Sequence, residues 1–271
     1  MTDRPRRYRS LQSDDRSVSD AVGYVLTFSV VVVAVATASG VGFEQLEAIQ
    51  ENEEITNAER AFQLIEQNFD QIQQSQAQSR RSEIALESGD LRLLEPSSTS
   101  TMSITINVSD GSQVTRTVRM NTLQYEVDET TIAFEGGAVF YQDENQNTIL
   151  EDGPELFCRN RGSDPGRAIV SVVRLDGQSD VAFSGGTIGI TGEYNGTRLL
   201  FPLNRTGQDS AGDATNVTVE IDSEYSGAWA DHFTDDETGW QQLGADTYRC
   251  DDDHGIQVFV RQTRLDVRFS R

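Results

Sequence analysis

The side chains here that could do covalent or coordination chemistry are few and scattered. Cys158 and Cys250 are the only thiols. An even pair suits a disulfide in an oxidising compartment, and two separate buried thiols are the alternative. Closing so long a loop would contribute on the order of 4–5 kcal/mol in the chain-entropy description. Four tripeptides, Asn107-Val-Ser, Asn195-Gly-Thr, Asn204-Arg-Thr and Asn216-Val-Thr, are N-glycosylation acceptors in an exported chain. Asp143-Glu-Asn145-Gln-Asn147 opens like a calcium loop. An EF-hand needs Gly where Thr148 stands and Glu where Pro154 stands, so this segment reads as a polar turn. Asp251-Asp252-Asp253-His254 and Asp231-His232 carry metal-ligand types, but a metal centre needs ligands fixed in geometry. With 44 acidic residues, a run of three Asp reads as a solvated face. No nucleophile elbow and no His-Glu-x-x-His helix occurs. No Walker loop or Rossmann glycine pattern occurs either. The expectation is therefore a protein that is not an enzyme, with no catalytic residue, no cofactor and no metal.

What positions these groups starts with charge. The 22 basic residues are all Arg, and the net charge is −22. Nucleic acid is excluded as a partner, because a phosphate backbone needs basic side chains to displace its counterions. A strongly acidic, Lys-free composition fits a halophile's protein. At molar salt the Debye length is about 3 Å, so carboxylate repulsion is largely screened and the charge serves hydration.

Ala21 to Phe43 is a run of 23 residues without a charge. At about 1.5 Å per residue it reaches roughly 34 Å, enough for a hydrocarbon core of about 30 Å. It exceeds the roughly 7–15 apolar residues of a signal peptide. It is apolar all round, unlike a surface helix with a polar stripe. Arg4, Arg6, Arg7, Arg9 and Arg16 precede it, and Glu44, Glu47, Glu51, Glu53 and Glu54 follow. The positive-inside rule then puts the N-terminus in the cytoplasm and the bulk outside the cell. Ala34, Ala38 and Gly42 recur at helical spacing, which lets helix backbones approach closely.

Asp15-Arg16-Ser17-Val18-Ser19-Asp20-Ala21-Val22-Gly23, with the apolar run behind it, resembles the N-terminus of archaeal type IV pilins and pilin-like proteins, the haloarchaeal ones especially. The resemblance implies that a membrane-embedded aspartyl prepilin peptidase cuts between Ser17 and Val18. Asp20 would then stand at the third mature position, with the new α-amino group of a neighbouring subunit as a partner for its carboxylate. Bacterial pilins carry Glu at the fifth mature position, where this chain has Val22. Thr130-Thr-Ile-Ala-Phe-Glu-Gly-Gly-Ala-Val-Phe and Ala228-Trp-Ala-Asp-His-Phe resemble a haloarchaeal pilin-like family that has no assigned activity. The resemblance implies a minor or accessory type IV pilus subunit with a structural or adhesive role. Its implied partners are the lipid bilayer, the prepilin peptidase, and other pilin-like subunits or surface-layer components. The alternative is a non-polymerising anchored module that binds glycan or protein.

From Phe43 to about Ser79 there is neither Pro nor Gly, and Ile55, Ala58, Phe62, Ile65, Phe69 and Ile72 alternate three- and four-residue steps. The spacing predicts that the helix continues to about Ser79, roughly 90 Å in all. The head domain would cover Phe62 to Ile72, and Gln71 to Gln78 would fray. After Pro96 the period becomes two, with a hairpin through Asp110-Gly111 and strands at 103–109, 114–120, 123–127, 131–134, 138–141, 168–175, 187–194, 199–203, 216–221, 257–261 and 265–269. One short helix is expected over Ser226–Phe233. The expected fold is α+β: a basic leader over 1–17, a transmembrane helix over 18–43, a helical stalk over 44–80 and a β-sandwich head over 95–271.

Overall fold

A computed structural model describes residues 15–94, 100–178, 181–203 and 213–271. In the first helix it describes side chains for 22–39 and from 52 onward. The chain forms two compact units, Met1–Glu53 and Glu54–Arg271. The boundary falls inside the first helix, α1 (Asp15–Gln73).

In the first unit the chain is helical because nothing interrupts its 3.6-residue repeat and its few hydroxyls are satisfied locally. Thr27, Ser29 and Thr37 donate to the carbonyls of Gly23, Val25 and Val33 at 2.9, 2.7 and 2.9 Å. Such bonds turn polar side chains back onto their own backbone. The apolar side chains around them, Val22 to Val35, are exposed on every side.

The second unit begins with the rest of α1. Ala58, Phe62, Ile65, Phe69 and Ile72 are each at most 1% exposed. The seam read from the sequence is thus buried within its own chain. The helix does not fray over Gln71 to Gln78. It ends in a Schellman motif, with Gln76 N–H on the Gln71 carbonyl (2.8 Å), Ser75 N–H on the Ile72 carbonyl (3.0 Å), and Ser75 left-handed at φ 64.

Among the described residues fifteen strands follow: β1 (Ser79–Leu86), β2 (Asp90–Leu94), β3 (Thr101–Val108), β4 (Gln113–Arg119), β5 (Thr122–Val127), β6 (Thr130–Glu135), β7 (Ala138–Gln142), β8 (Thr148–Asp152), β9 (Leu156–Arg161), β10 (Asp164–Gly177), β11 (Ala182–Phe183), β12 (Gly186–Phe201), β13 (Asp213–Asp222), β14 (Gln241–Gly244) and β15 (Thr247–Ser270). One helix, α2 (Ser226–Thr234), lies among them. A nine-stranded sheet runs β1-β12-β15-β13-β3-β4, with β10 and β14 also on β15 and β9 on β10. A six-stranded sheet runs β11-β2-β5-β6-β7-β8. The unit is mostly β and sandwich-like.

Two cores occupy opposite faces of the long strands. Ala168, Val170 and Val172 of β10, with Ile256, Val258 and Val260 of β15, enter the core under α2. Val173 and Leu175, with Leu265 and Val267, enter the core that holds α1. The β10–β15 register runs through this point unbroken. The change from even to odd residues therefore means a change of face. The middle strands β6 and β7 serve both cores, which explains the near-continuous apolar run Ile132-Ala133-Phe134.

The expected domain limits need correction here. The compact unit starts at Glu54, so residues 54–73 belong with the sheets, and β1 and β2 precede the expected head boundary at 95. The segments expected at 257–261 and 265–269 are one strand; those at 187–194 and 199–203 also fall on one strand, which passes through breaks in register and ends at Phe201.

Candidate functional site

Ser17, Val18 and Asp20 all lie within the helical backbone of α1, and Gly42 does too. Ala34 and Ala38 are exposed. Among the described residues one segment, Val22–Ser39, is long and apolar enough to cross a membrane, and none of it is buried. The leader arginines Arg4, Arg6, Arg7 and Arg9 lie outside the described residues.

The second unit grips its helix through Glu54. Its Oε1 accepts from the Tyr125 hydroxyl (2.5 Å), Ser88 N–H (2.8 Å) and Glu87 N–H (3.1 Å), and its Oε2 from the Ser88 hydroxyl (2.8 Å). These donors come from the β1–β2 turn and from β5. Gly89 allows the turn: its φ is +66, and a Cβ there would press on the Glu126 carbonyl and the Tyr125 ring. Burial raises the Glu54 pKa, but the Tyr125, Ser88 and Glu87 hydrogen bonds outweigh it and the net direction is down.

A carboxylate-rich seam runs along the same helix. Glu59, Glu66 and Asp70 face Glu151, Asp152 and Glu155. Burial, then Asp152, Asp70 and Glu155, push Glu66 up to about 8, and Glu66 hydrogen-bonds Asp152. Arg261 pairs with Glu155 at 2.5 Å and also donates to Ser171 Oγ at 2.5 Å. Gln73 donates to the same Ser171 hydroxyl.

Among the described residues Glu135 is the deepest carboxylate, 1% exposed. It accepts from Thr122 Oγ1 (2.7 Å), Ser223 Oγ (2.6 Å) and Trp229 Nε1 (3.4 Å). Burial raises its pKa against those hydrogen bonds. It closes β6 just before Gly136-Gly137, whose φ values of 68 and 111 make the tight turn into β7. Its hydroxyl and indole donors make it a tie between the strands and α2.

Cys158 of β9 and Cys250 of β15 stand at disulfide distance, with Cα atoms 5.6 Å apart. The neighbouring backbone is tightly packed: Cys158 N–H donates to the Thr238 carbonyl (2.7 Å), and Gly239 (φ +74) leaves no room for a Cβ beside the Cys158 carbonyl.

Of the four sequons, Asn107 lies on β3, Asn195 on β12 and Asn216 on β13; Asn204 lies outside the described residues. The calcium-like segment is an Asx turn. Asp143 accepts from Asn145 N–H, Asn147 N–H and Asn147 Nδ2 at 2.9, 2.8 and 2.9 Å, and the Asn147 bonds lead in lowering its pKa. Asp251 pairs with Arg249 (2.8 Å), and Asp252 accepts from His254 N–H (2.9 Å). His232 is packed against Trp229 and Phe233, and burial lowers its pKa. Among the described residues no three His, Cys, Asp or Glu side chains converge as metal ligands.

Sequence reasoning missed Glu54, Glu66 and Glu135. Glu135 carried a signal, being a lone carboxylate inside an apolar run before Gly-Gly. Glu54 and Glu66 carried none, because they are two acids among many on a polar helix.

A sequence profile of a family of unknown function (DUF7289) matches residues 16–268. No curated protein and no solved structure matches the chain.

Proposed function

We propose that this chain, which belongs to that family of unknown function, is a single-pass membrane-anchored surface protein of pilin-like type. The observation that carries the reading is the apolar stretch Val22–Ser39, wholly unburied by its own chain. So much apolar surface needs a non-aqueous environment, and a bilayer supplies one over that length. The basic residues before it and acidic residues after it favour an inside N-terminus and an outside head. A cysteine pair at bonding distance suits an oxidising exterior. The head would act structurally or adhesively, and the helix would be handed to neighbouring subunits after the leader is cut before Val18.

Fractionation of native-host cells followed by mass spectrometry of the N-terminus tests this. The expected result is membrane-bound or filament-bound protein whose first residue is Val18. Membrane-bound protein with its leader intact favours the non-polymerising binding module instead. Soluble protein with its leader intact overturns the reading.

A further inference from the structure

Three sequons lie in described strands, and the sheet treats them differently. Asn107 and Asn216 stand directly opposite each other on β3 and β13. Asn107 Nδ2 donates to Asn216 Oδ1 at 2.7 Å, and Gln113 Nε2 donates to Asn107 Oδ1 at 3.1 Å. Both amides are half-buried between neighbouring strands. Both strands are also paired on both sides, β3 by β4 and β13, and β13 by β3 and β15. The middle residue of the second sequon, Val217, is fully buried. An enzyme gripping either backbone would have to pull two ladders apart.

Asn195 differs in exposure and in how its strand is paired. The β1 partnership of β12 covers Gly186–Glu193 and closes with Tyr194 N–H on the Gln78 carbonyl (2.9 Å). On the other side the β15 register breaks between Tyr194 and Thr197. Asn195-Gly196 therefore sits on a bulge at a place where β12 has lost its outer neighbour among the described residues. Gly196 takes φ +114 with open space around it, so the middle residue gives the core nothing to lose. Asn195 is exposed, and its Nδ2 donates to Asp266 Oδ1 at 2.7 Å.

We infer that Asn195 is the N-glycan acceptor among the described sequons; the inference rests on the exported orientation proposed above. The donor class is a saccharide linked through phosphate to a lipid. In the transfer, the anomeric carbon forms a bond to Asn195 Nδ2, and its bond to the phosphate oxygen breaks. The phosphate leaves with that electron pair, and one Nδ2 proton passes to base. The glycosylated amide keeps one N–H that can donate to the Asp266 carboxylate.

The test is glycopeptide and intact-mass spectrometry of the full chain from native-host membranes, with protease added to intact cells to report where the head lies. The expected result is saccharide mass on the Asn195 peptide and none on the Asn107 or Asn216 peptides. Asn195→Gln and Thr197→Val should each lose that mass, and Thr197→Ser should keep it. Saccharide on Asn107 or Asn216, or bare Asn195 on a protease-accessible head, overturns the site. A bare Asn195 on a head that intact cells shield overturns the exported orientation, and the site with it.

Discussion

Glu54 and Glu66 sit on the same helix with opposite pH behaviour, and the difference follows from their neighbours. Glu54 is met by two backbone N–H groups and two hydroxyls, so the folded chain favours its charged form. Its stabilisation is present above its ordinary 4.5 and is lost as pH falls through its lower folded value. Glu54→Gln keeps one oxygen for Tyr125, Ser88 N–H and Glu87 N–H but sets an amide NH2 against the Ser88 hydroxyl and removes the charge from every bond. We expect a loss of about 1–2 kcal/mol at neutral pH, read by denaturant unfolding. Glu66 is met by other carboxylates, and the folded chain holds its proton up to about 8. That contribution is full below 4.5 and falls away as pH rises to about 8. Glu66→Gln should therefore be near neutral at pH 4, already somewhat stabilising at pH 6, and stabilising by about 1–2 kcal/mol at pH 9, a figure reduced for the solvent that reaches the side chain. Equal stability of the variant and the parent at pH 9 would remove the argument.

At the scale of elements, the cap of α1 gives a cleaner test, since it involves one backbone conformation. Ser75 holds the left-handed C′ position that glycine takes without strain. Ser75→Gly should stabilise the fold by about 0.5–1 kcal/mol, seen as a higher melting temperature with an unchanged denaturant slope. A loss of stability would mean that the Ser75 side chain contributes more than its strain costs. Elements were legible where alternation was clean. The hairpin β3–β4, the strands on either side of Gly136-Gly137 and the helix over 226–233 all stand where the residue pattern put them. The strand β1 was missed because Ser79-Arg80-Arg81-Ser82-Glu83 reads as a polar tail. Only its docking on β12 turns Ser82, Ile84 and Leu86 inward. β15 was split because Val260 and Thr263 belong to opposite faces, and a single-face period cannot follow a strand that changes cores. The parallel pairing of β10 with β15 left no local trace, being set by a contact about 90 residues away along the chain.

For the whole molecule, the cysteine pair and the charge are the two global terms. Joining residues 92 apart, a Cys158–Cys250 bond restricts the unfolded chain. Reduction, or Cys158→Ala with Cys250→Ala, should cost about 2–5 kcal/mol. Charge acts in the other direction. The net −22 is spread over the sequence, and the seam of Glu59, Glu66 and Asp70 against Glu151, Asp152 and Glu155 brings like charges together across a packed contact. Arg261 bonds only one of the six, Glu155. At about 10 mM salt the Debye length is roughly 30 Å, so carboxylates repel across the whole unit; at about 1 M it is roughly 3 Å and repulsion shrinks to contact range. The compact state brings these charges closer than the unfolded chain does, so screening favours it. Melted in detergent micelles, the full chain should gain about 3–5 kcal/mol between those salt concentrations, or ~10 °C in melting temperature. A screening origin also requires most of the gain below about 1 M, with a plateau above, and a smaller gain at pH 4, where many carboxylates are protonated. A melting temperature indifferent to salt would show that the acidic surface does not govern stability.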